Sequence, residues 1–167
     1  FSSPALKTFV ADVSQKNQVL DFANWILSHE KSIDVLINNA GFFLLGQIQN
    51  EEDGVLEAQI EANVYSAYHL TKALLPTFQA KKFGHIFTIC STASITAYTA
   101  GGSYCISKFA LLGFTKVLRE ELKTQGIKVT AILPGATLTP SWDGVELPES
   151  RFIPADDVAQ TIWSAYQ

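Results

Sequence analysis

The chain has 167 residues, of which 47% are hydrophobic and 17% charged, and a formal net charge of -4. That length and apolar fraction suit one domain with a buried core and exclude a disordered chain. The acidic balance, without a long basic run, gives nucleic acid no electrostatic footprint, and polar residues interrupt the apolar stretches well short of a membrane-spanning length.

In chain order, residues 7–11 (KTFVA) predict a short strand ending at Asp12. Ser14 is placed to cap the next helix, whose Val19, Phe22, Ala23, Ile26 and Leu27 recur at helical spacing. Residues 33–37 (IDVLI) predict a second strand, ending at Asn38-Asn39-Ala40-Gly41. A helical pattern runs from about Glu51 to Leu75 and is expected to close at Pro76. Residues 85–90 (HIFTIC) predict a strand that ends at Ser91, and a small-residue loop leads to a helix from about Ser103 to Lys123. Residues 127–133 (IKVTAIL) predict a last strand, stopped by Pro134-Gly135. A loop rich in Pro, Trp and Asp precedes a final helix that starts near Pro154, where proline is tolerated in the first turn.

Strands that alternate with helices and are nearly all apolar imply a parallel sheet covered on both faces. Asp12, Asn38-Asn39, Ser91 and Pro134-Gly135 each follow a strand. Ligands of open α/β sheets bind outside the carboxyl ends of the strands, so these loops point to one site. Turn chemistry alone accounts for Gly41 and Gly135, but less well for the paired asparagines and Ser91. Cys90 and Cys105 show no metal-ligand or CxxC spacing and read as reduced core residues of a cytoplasmic protein. His29, His69 and His85 are scattered, so no metal site is expected.

Tyr104 precedes Lys108 by four residues, but so does Tyr68 precede Lys72. Spacing alone cannot choose between a functional pair and a buried aromatic with a surface charge. The surroundings do. Asp12-Val13, the block Asn38-Asn39-Ala40-Gly41, Asn63 in a long helix, Ser91, Tyr104 with Lys108, and Pro134-Gly135 followed by Thr139 occur in that order on those elements. In this the chain resembles the short-chain dehydrogenase/reductase family. The resemblance implies one domain over residues 1–167, with an α/β fold: a doubly wound parallel sheet (Rossmann-like) in three α/β/α layers.

It also implies an NAD(P)-dependent oxidoreductase that interconverts a carbonyl compound and a secondary alcohol. Tyr104 would be the general acid or base, Lys108 its tuner and a ribose ligand, and Ser91 the group that binds the substrate oxygen. A tyrosine serves this role near neutrality only if its pKa falls from about 10, and a cation one helical turn away favours the phenolate, as does the helix N-terminus. Asn63, a poor residue for a helix interior, would distort its helix and hold a water linking Lys108 to solvent. Plainer readings are a satisfied amide for Asn63, a helix cap for Asp12 and turn chemistry for Thr137.

By the same resemblance, NADP or NAD, with NADP ahead, would meet Asp12, Val13, Asn39, Ala40, Gly41, Tyr104, Lys108, Pro134, Gly135, Thr137 and Thr139. Asn38 would tie strands together. Thr139 to Glu146 would be a substrate lid whose Trp142 suggests a flat or apolar substrate, pterin-type before 3-oxoacyl. The helices carrying Asn63 and Tyr104 would pair in a homodimer or homotetramer, and Ala110 and Gly113 would permit close approach. One departure is plain. The family opens with a strand, a glycine-rich turn and a helix that holds the pyrophosphate, and FSSPALK contains no glycine. The first βαβ unit is therefore expected to be missing from this chain, and a non-catalytic assembly module is the alternative reading.

Overall fold

A computed structural model describes residues 6–142 and 148–167. Three parallel strands, β1 (Val35–Asn38), β2 (Gly84–Ile89) and β3 (Ile127–Ile132), lie side by side in chain order. The central strand β2 is buried along almost its whole length, which is why it reads as a continuous apolar run. Leu36, Ile86 and Val129 stand opposite one another across the three strands. Their face of the sheet packs against Ala23 of α1 (Lys16–His29), Leu74 and Phe78 of α3 (Ser66–Lys81) and Leu118 and Leu122 of α4 (Gly102–Leu122). On the other face His85 meets Tyr166 of α5 (Ala155–Tyr166). The result is a three-layer, Rossmann-like α/β fold.

Three expectations need correction. Residues 7–11 form no strand, because no strand among the described residues lies beyond β1 to pair with them. Phe9 instead packs on Phe22 and Trp25, with ring centroids 5.6 Å away in each case, while Val10 is 98% exposed. Ser14 does not cap α1. Its amide and hydroxyl donate to Asp12 Oδ1, at 3.0 and 2.7 Å, in a turn ahead of the helix. The long helix does not close at Pro76. It starts as α2 (Val55–Ile60), loosens into a π turn (Glu61–Tyr65) and continues as α3 through Pro76 to Lys81. A proline removes one helical amide, and Pro76 and Lys72, whose carbonyl loses that partner, both lie on the solvent side.

The turn into β2 depends on Gly84. Its φ of +144° disfavours any side chain, and a Cβ there would collide with the buried Phe78 ring. Gly84→Ala is expected to lower stability by about 3 kcal/mol, from backbone strain and overpacking together. Urea denaturation measures it, and a loss under about 1 kcal/mol would show that Phe78 has room to move.

Candidate active site

The loops after the three strands open at one edge of the sheet, and α4 crosses that edge with its N-terminal turns. Between them lies a cavity of about 610 Å³, walled by Asn39 and Gly41 after β1, Ser91 after β2, Tyr104 and Lys108 of α4, and Trp142 beyond β3. Pro134, Gly135, Thr137 and Thr139 also line it. Asp12, Val13, Ala40 and Asn63 do not, so the cavity gathers most of the expected site residues but not those four.

The two Tyr–Lys pairs have nearly the same internal geometry. Lys108 Nζ is 5.8 Å from the Tyr104 ring centroid and Lys72 Nζ 5.7 Å from that of Tyr68. Their settings differ. Tyr68 and Lys72 are exposed, whereas Tyr104 is half-buried and Lys108 is only 7% exposed. Lys108 donates to the Ile89 carbonyl at 3.0 Å and has no carboxylate partner among the described residues. Burial pulls its pKa below the ordinary lysine value. Burial also raises the Tyr104 pKa, with the Ser91 hydroxyl pulling the other way. The expected lowering of Tyr104 is thus absent from this state. The Lys108 ammonium is held by the Ile89 carbonyl and does not offset the desolvation of the phenol.

Ser91 is fixed by a reciprocal cap on a short 3₁₀ turn (Thr92–Ser94). Its Oγ accepts from the Ala93 amide and its own amide donates to Ser94 Oγ, both at 3.1 Å. The Ser91 hydroxyl also lies against the Tyr104 phenol on the cavity wall.

Asn63 does distort its helix, since it lies in the π turn where the Ser66 amide reaches back to Glu61. Its side chain makes three hydrogen bonds. Oδ1 accepts from the Phe42 amide at 2.9 Å, and Nδ2 donates to the Phe42 carbonyl and to Ser107 Oγ, each at 2.9 Å. Both amide hydrogens are engaged, so the side chain ties the loop after β1 to α4. Gly41 is needed for the same tie, because a Cβ there would stand 2.7 Å from Asn63 Oδ1. Asn38 joins β1 to α3 through Thr71 Oγ1 at 2.9 Å, a strand-to-helix link where a link between strands was expected. Thr137 donates to the Gly135 carbonyl at 3.2 Å and pairs with Ile153 in an isolated bridge that closes the base of the expected lid. Asp143 to Glu146 of that lid lie outside the described residues.

Sequence reasoning missed Phe43. Its ring lies 5.5 Å from that of Tyr104 and 4.7 Å from that of Trp142, which in turn meets Phe152 edge-on at 5.3 Å. Two phenylalanines directly after Gly41, in a loop at the ligand edge, were the available signal. Tyr98, also on the wall, donates to Thr92 Oγ1 at 3.1 Å.

Comparison with known proteins agrees with this arrangement. A family model described as short chain dehydrogenase matches residues 2–149. The chain belongs to that family. It is 30% identical over 161 residues to the sepiapterin reductase of Chlorobaculum tepidum, covering 95% of this chain and 66% of that protein. To the D-beta-hydroxybutyrate dehydrogenase of Cupriavidus necator it is 33% identical over 130 residues, covering 78% of this chain and 50% of the relative. The structure of ElxO with NADP bound superposes with a TM-score of 0.86 at 26% identity, over 95% of this chain and 70% of ElxO. The chain thus spans two thirds or less of the length of these two curated relatives.

The buried lysine gives a signed pH dependence. At neutral pH Lys108 is charged in both folded and unfolded chains, and folding carries the cost of burying it. As pH rises through its lowered folded value toward about 10.4, the native state releases the proton first. The unfolded state then binds more protons and the lysine's contribution to stability rises. The stability difference between wild type and Lys108→Met is therefore expected to move in favour of wild type as pH rises. Urea denaturation at several pH values measures it, and a difference independent of pH would count against a buried, charged Lys108.

Proposed function

We propose that the protein is an NAD(P)-dependent oxidoreductase that interconverts a carbonyl compound and a secondary alcohol. The observation that carries this is Lys108: a buried ammonium with one carbonyl partner among the described residues, beside Tyr104 on the wall of a cavity shared with Ser91. Packing alone gives no reason to bury a cation that has no carboxylate partner among the described residues, which favours catalysis over a non-catalytic assembly module.

In this reading the carbonyl oxygen accepts from the Ser91 and Tyr104 hydroxyls, and Tyr104 gives it the proton. Lys108 favours the phenolate so formed, and Asn63, through Ser107, keeps α4 in place. The nicotinamide, when bound, supplies the hydride. The cavity fits its end of the dinucleotide: Asn39, Gly41, Pro134, Gly135, Thr137 and Thr139 line it, and a Cβ at Gly135 would meet nothing within 4 Å. Asp12, Val13 and Ala40 would serve the adenosine end, with Asp12 partly engaged by Ser14. The NADP in the ElxO structure supports NADP ahead of NAD.

The Phe43 and Trp142 rings beside Tyr104 suit a flat substrate, and the similarity to a sepiapterin reductase supports a pterin-type carbonyl ahead of a 3-oxoacyl one. An exposed apolar stripe on α4, with Ile106, Phe109 and Val117 beside Ala110 and Gly113, is proposed to pair copies of the chain in a homodimer or homotetramer, together with exposed Tyr65 and Tyr68. Two free, buried cysteines, Cys90 and Cys105, support a cytoplasmic location.

Tyr104→Phe in the whole protein is expected to lower NADPH-dependent reduction of a pterin-type diketone by about 10²-fold or more while leaving NADPH binding intact. Tyr68→Phe should leave turnover close to wild type. Turnover by Tyr104→Phe near the wild-type rate would remove Tyr104 as the proton donor, and a selective loss in Tyr68→Phe would transfer the role.

A further inference from the structure

The helix that carries Tyr104 and Lys108 has no cap of its own. Its N-cap is Gly101, which offers no side chain, and the first amides of an α-helix have no partner within the helix. Ser103, buried in the first turn, finds its partner 52 residues back along the chain. Its amide donates to Glu51 Oε1 at 2.9 Å and its hydroxyl donates to Glu51 Oε2. Two glycines clear the seat for this carboxylate. A Cβ on Gly102 would collide with Glu51 Oε1, and one on Gly46 would lie 2.9 Å from Glu51 Cγ. Gly46 also donates its amide to the Ala100 carbonyl at 3.0 Å and pairs with Gly101 in a parallel bridge. The segment bearing Glu51 is thereby docked on the entry to α4.

The residue after Ser103 is Tyr104. Its carbonyl accepts from Ser107 Oγ at 2.8 Å, and Ser107 is the hydroxyl that Asn63 holds. The backbone of Tyr104 is therefore fixed from both sides: through Ser103 by Glu51 and through Ser107 by Asn63. Glu51 is also an anion at the positive end of a 21-residue helix, where it offsets the partial charge that would otherwise favour a phenolate in the first turn.

We propose that Glu51 is a positioning residue for Tyr104, supplying the missing cap of α4 and, through its charge, setting where the phenol titrates. The inference rests on Tyr104 being the proton donor. Two substitutions separate the tie from the charge. Glu51→Gln keeps a seat for Ser103, since the amide oxygen accepts from the Ser103 amide and the amide nitrogen donates to its hydroxyl. Glu51→Ala removes both the tie and the charge.

The test uses the whole protein and three readouts: hydrogen exchange at the Ser103 amide, kcat and KM with a pterin-type diketone and NADPH, and the pH profile of kcat. Glu51→Ala is expected to exchange Ser103 faster and to lose about tenfold or more in kcat with little change in KM, as a misplaced acid would. Glu51→Gln is expected to keep Ser103 protected and kcat near wild type at its plateau, with the Tyr104 limb of the profile moved to lower pH. The double variant Glu51→Ala/Ser103→Ala, which leaves no buried hydroxyl unpaired, gives the same kinetic comparison if Glu51→Ala folds poorly. Wild-type kcat and pH profile in the alanine variants would overturn the proposal, as would a loss of kcat with Ser103 exchange unchanged. If wild type reduces no carbonyl, the proposed reaction fails separately. Phenolate absorbance, referenced to Tyr104→Phe, then decides for Glu51: a lower Tyr104 midpoint in Glu51→Gln supports the proposal, and an unmoved midpoint sinks it.

Discussion

A lysine ammonium taken out of water, with one backbone carbonyl for company among the described residues, is the constraint around which this site is arranged. Such a charge is tolerated only where the surrounding structure leaves it no alternative. Here α4 is locked at its start by Glu51, one turn later by Asn63 through Ser107, and along its length by Leu111, Leu118 and Leu122 in the core. Lys108 lies between the second anchor and the apolar run, with its ammonium on the cavity wall.

The comparison of Tyr104 and Lys108 with Tyr68 and Lys72 shows what sequence spacing can and cannot convey. Both pairs bring a cation to within about 6 Å of an aromatic ring, because four residues make roughly one helical turn. What separates them is burial and the convergence of other loops, and burial depends on which helix face meets the sheet. That was legible only indirectly, from the order of Asn39, Asn63, Ser91 and Pro134 on alternating elements. Strand ends were legible because each apolar run stops at polar or glycine residues. The π turn at Asn63 was legible as a misfit, a poor helix former in mid-helix. Its tie to Phe42 and Ser107 was not, since both partners come from other elements.

The same distinction explains the failures. The segment before Asp12 has the composition of a strand, but a strand is a relationship and needs a neighbour beside it, and residues 7–11 pair with no strand among the described residues. Without one, Phe9 gains more by stacking on Phe22 and Trp25. Pro76 reads as a stop because proline removes an amide, yet it sits on the solvent side, where water can satisfy the carbonyl left without a partner. Ser14 reads as a cap because it precedes an apolar periodicity, yet Asp12 captures both its donors first. Each error came from a local rule outcompeted by a partner the sequence does not place.

The state of Tyr104 bears on the direction of the proposed chemistry. Desolvation holds the phenol above its ordinary pKa, so at neutral pH it keeps its proton. A protonated phenol beside the Ser91 hydroxyl offers two donors to one oxygen, which is what a carbonyl needs as hydride arrives and negative charge develops on it. Alcohol oxidation runs the same steps in reverse and would need the phenolate first. The anion at Glu51 works in the same sense, disfavouring a second negative charge in the first turn of α4. Burial, the orientation of Lys108 and the borrowed cap thus act together. In this state they leave Tyr104 holding the proton that carbonyl reduction would draw on.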